Sequence, residues 1–324
     1  MKIPITQSKD WQKLQNDLKE TSFFEKNKDY QYLAILKKTP VGNYLFLPYG
    51  PVSNTKEAMR QAIENITNLA QKNNCIFIRI EPQLENPADY LPRSAKKVKD
   101  ISPADTWVLD LTPDEPTLVS HFSQGTRTRY NTYAKKGLSV ETTNNLKEIK
   151  HLVKLQSQLF KQKHLTTYDE HYLSTELAQP FATLYLVKYH RPKNADLPSQ
   201  ESSAISEQVP EEGQVLAASL FFDYNDTRYY MQSAADLRYR KLPATVALLT
   251  SAIFDAKKQG IKKFDFWGIA PDGADQTHPW YGFTEFKKSF GGAPKHYAGT
   301  YDIILKPLKY RLFQKTKQLK KILH

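Results

Sequence analysis

The sequence predicts an α/β fold (α+β) made of two tandem domains of one layout, and three observations point to it. The chain has 324 residues, beyond the ~250–300 at which a single core stops growing. Its apolar runs fall twice in the same order: helix, antiparallel strands, helix, strand. With 40% apolar residues, 19 Tyr and 16 Phe, it also holds enough apolar mass for two cores.

The first run opens with a short helix over Lys9–Lys19 and strands at Tyr32–Leu36 and Tyr44–Leu47. Pro48-Tyr49-Gly50-Pro51 reads as a turn. The helix that follows, Thr55–Lys72, puts Met59, Ile63, Ile66, Leu69 and Ala70 on one face at helical spacing. A strand at Cys75–Ile80 closes the run.

The second run begins with a helix over Leu146–Gln162, with Leu152, Leu155, Leu159 and Phe160 inward. Strands follow at Thr183–Tyr189, Val215–Asp223 and Thr227–Gln232, and Asn225-Asp226 suits a tight turn between the last two. Pro243 opens a helix carrying Val246, Leu249, Ile253 and Phe254, and Gly260 ends it. Lys262–Trp267 is the closing strand. The polar insert at 190–214, rich in Pro and Ser, is expected to be a flexible surface loop. We place the first domain at 1–137, completed by 300–324, and the second at 138–299.

Bulk properties narrow the function. No apolar run reaches the ~18 residues of a membrane span, and the N-terminus has no signal-peptide pattern. Cys75 is the single cysteine, so no disulfide forms within the chain, which fits a cytoplasmic location. The eight histidines are scattered without metal-ligand spacing, and no cofactor is expected. A net charge of +12 favours polyanionic partners. Arg127, Arg129, Lys135 and Lys136 form one basic cluster. The tail Lys306–Lys321 forms another, has no acid, and carries Leu308, Leu312, Phe313, Leu319 and Ile322 at amphipathic spacing.

The stretch Gly282-Phe283-Thr284-Glu285-Phe286-Lys287-Lys288-Ser289-Phe290-Gly291-Gly292 carries the strongest chemical signal. It holds a lysine beside an aromatic wall between glycine turns. A cation so placed stabilises a developing oxyanion or binds an anion; a solvated Lys-Lys pair on a short helix has the same local pattern.

Several segments resemble the Fem family (FemA, FemB, FemX) of peptidoglycan interpeptide-bridge aminoacyltransferases. Thr106–Leu111, Ser123–Asn131 and Ala134–Val140 look like the family's linker between domains. Tyr229–Ala235 with Leu242-Pro243-Ala244 is similar to its second-domain core, and Lys263–Ile269 with Gly282–Gly292 to its closing signature. The resemblance implies two tandem GNAT-like acyltransferase domains with mixed sheets. No stretch suits the long coiled-coil arm of some members, so the chain looks like the armless FemX-like branch.

The implied reaction moves an amino acid from aminoacyl-tRNA to the stem-peptide side-chain amine of a peptidoglycan precursor, lipid II or UDP-MurNAc-pentapeptide. Lys287, preceded by Phe286, holds the position of the family's catalytic cation. For acceptor binding the resemblance points to Lys37 or Lys38 as the first-domain lysine and to Tyr229 or Tyr230 as a second-domain tyrosine. Tyr168 matches the tyrosine of an Arg-x-x-x-Tyr pair, with His164 where the family has arginine. A monomer touching the inner membrane surface is expected.

Two other readings remain open. An acyl-CoA-dependent N-acyltransferase of the same superfamily would need a phosphate-cradling turn. The candidate turns, Gly50-Pro51-Val52 and Arg238–Pro243, both contain proline, which lacks the N–H donor. A nucleic-acid binding module would use the basic clusters and tyrosines, but no aromatic spacing of a known RNA-binding motif is present.

Overall fold

The structure is a computed structural model and describes residues 2–84, 90–163, 168–192 and 209–322. It divides into two compact units, Met1–Asp105 with Lys295–His324, and Thr106–Pro294.

The first unit starts with α1 (Lys9–Asp17), whose first turn is closed by Ser8 Oγ accepting from Trp11 N. Strands β1 (Thr21–Lys26), β2 (Tyr30–Lys37), β3 (Asn43–Leu47) and the short β4 (Val52–Ser53) follow. Thr55 then caps α2 (Lys56–Lys72), and β5 (Cys75–Ile80) and β6 (Ala95–Lys97) complete this part. The helix face expected from the sequence is the buried one: Met59, Ile63, Ile66 and Ala70 pack on Leu45, Leu47, Ile78 and Ile80. Each large side chain so buried contributes about 1.5–3 kcal/mol.

The second unit runs β7 (Asp105–Asp110), α3 (Glu115–His121), α4 (Gln124–Thr132), β8 (Leu138–Thr143), α5 (Ile149–Lys163) and α6 (Glu170–Leu177). It continues with β9 (Ala182–Tyr189), β10 (Val215–Tyr224), β11 (Thr227–Ala235), α7 (Ala244–Lys258), β12 (Lys263–Gly268), α8 (Tyr281–Lys288) and β13 (Ala293–His296). The chain then returns to the first unit with β14 (Tyr301–Ile304) and α9 (Pro307–Ile322).

Both sheets are mixed, as expected for GNAT-like units. The first is ordered β1-β2-β3-β5-β14-β6, with β3 and β5 parallel; the second β13-β7-β12-β11-β10-β9-β8, with β11 and β12 parallel. Among the described residues the longest helix is α2 with 17 residues, too short for a coiled-coil arm.

One segment reading is corrected. Thr106–Leu111 and Ala134–Val140 are not a linker. β7 pairs antiparallel with β12, and β8 with β9, because β-rich Thr-Trp-Val-Leu and Leu-Ser-Val fill positions inside the second sheet. The boundary drawn after residue 137 therefore differs from the structural division after Asp105. The insert lies mostly outside the described residues, since 193–208 are not described.

Candidate functional site

Lys287 sits in the last turn of α8, and the neighbouring backbone explains how it is held. β12 pairs regularly with β7 through Asp265, then slips before Gly268 meets Thr106. Trp267 lies in that slip with φ of 64°, a left-handed conformation that is an outlier for a bulky residue. Such slips recur next to active sites, where they re-aim a side chain or a peptide group. Trp267 N donates to Asp265 Oδ1 at 2.8 Å, and Lys287 Nζ donates to the Gly268 carbonyl at 2.5 Å.

Thr284 fastens α8 to the strand end. Its buried hydroxyl accepts from Ala270 N at 2.8 Å and donates to Trp280 O at 2.9 Å. Past the helix, Phe290 is fully buried against Phe122 and Phe266, and Phe286 meets it edge-on at 5.3 Å. Trp107 Nε1 donates to Gly291 O at 2.7 Å, and Thr126 Oγ1 to Ser289 Oγ at 2.8 Å. Gly292, at φ 96°, runs so close to β7 that a Cβ would stand 2.5 Å from the Val108 carbonyl oxygen. Gly291 and Gly292 thus serve a close backbone approach, whereas Gly282 has open space around it.

The electrostatics follow from this enclosure. Burial lowers the Lys287 pKa to about 8, opposed by the nearby Asp265 carboxylate. Burial penalises a charge that water would otherwise solvate. Near neutral pH the group remains mostly an ammonium, with three donors of which the Gly268 carbonyl takes one. A poorly solvated, backbone-fixed cation suits stabilisation of charge that develops during a reaction. Its neighbour Lys288 is exposed and pairs with Glu285 at 3.0 Å, so the two lysines of the motif differ in kind.

The remaining sequence-derived candidates fall in several places. Tyr229, 8% exposed, meets Trp267 edge-on at 5.9 Å, which joins it to the Lys287 environment. Tyr230 points to the opposite face. Its ring stacks on Phe221 at 5.5 Å and its hydroxyl shares a 2.6 Å hydrogen bond with Ser233, a core-packing position. Tyr168 is exposed and stacks on Tyr172 at 4.4 Å. In the first unit, Lys37 ends β2 paired to Glu20 at 2.8 Å, and Lys38 beyond it is exposed. His164 lies outside the described residues.

Sequence reasoning missed Asp265, Trp267 and Gly268 as a unit, although the alternation break in Phe264-Asp265-Phe266-Trp267-Gly268 marks a strand irregularity. It also missed the Tyr172 and Glu176 positions, which repeat the Tyr168 spacing of four.

Known proteins share the fold, and part of the chain matches a family model. Residues 189–318 match the FemAB family model. No curated protein matches. A structure titled "Crystal structure of FemX" is similar at TM-score 0.78 and 16% identity, over 95% of this chain and 94% of that one. L-PGS from Bacillus licheniformis is similar at TM-score 0.58 and 13% identity, over 99% of both chains. The C-terminal domain of a putative lysylphosphatidylglycerol synthetase from Agrobacterium fabrum gives TM-score 0.60 and 12% identity, over 96% and 92%. At these identities the structural likenesses speak to fold. The family match agrees, over residues 189–318, with the resemblance read from the sequence.

Proposed function

We propose that this chain, a FemAB-family aminoacyltransferase, moves an amino acid from aminoacyl-tRNA to the stem-peptide side-chain amine of a peptidoglycan precursor. The observation that carries the reading is the enclosed Lys287 ammonium beside the Gly268 carbonyl. The acceptor amine attacks the ester carbonyl carbon of the donor, and that carbonyl oxygen gains negative charge. Lys287 stabilises the oxygen more in the transition state than in the ground state, which is the condition for acceleration. The tetrahedral intermediate then expels the tRNA ribose oxygen. The new amide nitrogen gives up a proton and the ribose hydroxyl gains one, so the step balances without a cofactor. Phe286 packs edge-on against the buried Phe290 and so anchors the turn of α8 that carries Lys287.

Tyr168 and Tyr229 are proposed to contact the acceptor, together with Lys37 or Lys38 and His164. Tyr230, packed into the core, is the weaker of the two strand tyrosines for this role. An acyl-CoA donor has less support. Arg238 is held by Asp236 at 2.7 Å, and Pro243 brings no N–H to the start of α7.

The acceptor we favour is the lipid-linked form, reached at the cytoplasmic membrane face. Among the described residues no helix is long and apolar enough to cross a membrane. α9 instead leaves Leu308 80% and Leu312 52% exposed, one turn apart, with Lys309, Arg311 and Lys315 exposed around them. That combination suits contact with anionic headgroups. The test offers individually charged tRNAs with lipid-linked and nucleotide-linked muropeptides and scores labelled amide product. Product from at least one pair is expected, with the lipid-linked acceptor preferred. Failure of every pair, alongside turnover with an acyl-CoA, would reverse the reading.

A further inference from the structure

A polar cluster on α6 lies behind Tyr168, one of the residues proposed to contact the acceptor. Tyr168 precedes the Asp169 cap of α6, and Tyr172 and Glu176 follow at intervals of four residues, the spacing that aligns side chains along one helix face. Glu176 is 1% exposed, and among the described residues its Oε2 has no hydrogen-bond partner. The Tyr172 and Gln232 side chains hydrogen-bond to Glu176, and Gln232 also bonds to Tyr168. The Tyr168 and Tyr172 rings stack 14° from parallel. An aromatic residue that is 47% exposed is thus held by a buried carboxyl, an amide and a second ring.

The strand supplies the other half of the arrangement. β11 pairs regularly with β10 up to Tyr230, then slips before Ser233 meets Ser219, and Gln232 lies in the slip. Three residues earlier on β11, Tyr229 contacts Trp267, which adjoins the Gly268 acceptor of Lys287. The Glu176 cluster and the Lys287 environment therefore share one strand.

An isolated carboxylate would be costly in this setting, because two hydrogen bonds do not replace its hydration. Burial raises the Glu176 pKa to about 8, while the bonds to Tyr172 and Gln232 oppose the rise. The carboxyl is neutral at pH 7. Among the described residues, the groups facing it are Tyr172 from its own helix, Gln232 from β11, and Tyr168 through Gln232. On the elements packed against α6, Lys154 of α5 acts on Asp236, His151 of α5 pairs with Glu148, Lys188 of β9 pairs with Glu141, and Tyr185 of β9 bonds to Asp255.

We infer that Glu176 is a positioning residue that, through Gln232 and Tyr172, fixes the Tyr168 ring on which the acceptor is seated. The inference rests on the acceptor role proposed for Tyr168. The unpartnered Oε2 means that the carboxyl is retained in spite of an unmet hydrogen bond, a cost that packing alone does not explain. Loss of the proton would put a buried charge against Tyr172 and Gln232 and disturb the Tyr168 seat.

The test uses the full chain with Glu176→Gln and Glu176→Leu. Ring-labelled tyrosine NMR is followed from pH 6 to 9.5, with Tyr168 assigned through Tyr168→Phe. The Tyr168 signal is expected to shift with a midpoint near pH 8 in the unaltered chain and to stay flat in Glu176→Gln. In steady-state transfer, Glu176→Leu is expected to raise the acceptor KM roughly tenfold with donor KM and kcat little changed. Glu176→Gln should restore the neutral-pH acceptor KM and abolish its rise above pH 8. A Tyr168 signal unmoved by pH, or one that titrates identically in Glu176→Gln, overturns the inference. So does a titrating Tyr168 whose acceptor KM ignores all three forms of the chain. If Glu176→Leu does not fold, the Gln variant decides. Absence of transfer from the unaltered chain counts against the proposed function alone, since the NMR titration still decides the coupling of Glu176 to Tyr168.

Discussion

Lys287 combines an ordinary side chain with an unusual position, and its proton affinity records the difference. Burial brings its pKa to about 8, so the ammonium population declines as pH rises past that value. Transfer is expected to fall above pH 8 through kcat, measured with both substrates saturating. Stability should move the opposite way. Between about pH 8 and the ordinary lysine value of 10.5 the unfolded chain keeps a proton that the folded chain has released. Unfolding free energy therefore rises with pH across that window, by up to about 1.4 kcal/mol per unit. Denaturant titrations at pH 8 and 10 should show this slope, and Lys287→Met should lack it. Glu176 gives the reverse sign: its raised pKa makes the folded chain the better proton binder, so its contribution shrinks as pH rises from 4.5 to about 8.

At the scale of elements, the glycines that close α8 are set by contact with β7. Gly292→Ala would place a methyl 2.5 Å from the Val108 carbonyl oxygen at φ 96°, a strain on the order of 1–3 kcal/mol. Gly125, in α4, has open space within 4 Å of where an added methyl would sit and no positive φ, so Gly125→Ala should stabilise by about 0.4–1 kcal/mol. Thermal melts of the two variants should move in opposite directions. Helices with one apolar stripe were legible in the sequence, as α2 shows, because helical spacing follows directly from local order. Lys287 with Phe286 was legible because glycines flank them. The Trp267 conformation was not, since it depends on where β12 loses register with β7. Glu176 was hidden for a similar reason: a glutamate in a short polar helix reads as solvated until the packing of α6 against α5 and β9 is known. β7 was misread because its partner β12 lies some 150 residues away, far outside any local window.

Across the molecule, the first unit is closed by the chain's return. Arg79 of β5 and Asp302 of β14 are register partners joined by two 2.7 Å hydrogen bonds, both side chains at most 5% exposed. Tyr310 of α9 adds a third bond to Asp302 at 2.8 Å. Asp302→Ala would strand a buried guanidinium and is expected to cost about 3–5 kcal/mol, read as a lowered denaturant midpoint. The net charge of +12 bears on the donor. Counterion release makes contact with tRNA steeply dependent on salt, so donor KM should rise sharply from 50 to 200 mM salt, whereas a small acyl donor would give a flat response. The most direct test of the account is single-turnover transfer with saturating aminoacyl-tRNA and muropeptide, comparing the unaltered chain with Lys287→Met. Loss of one oxyanion donor predicts a rate at least about a hundredfold lower, about 2.7–4 kcal/mol, with both substrates still bound. A folded Lys287→Met protein turning over within a few-fold of the unaltered chain would contradict it.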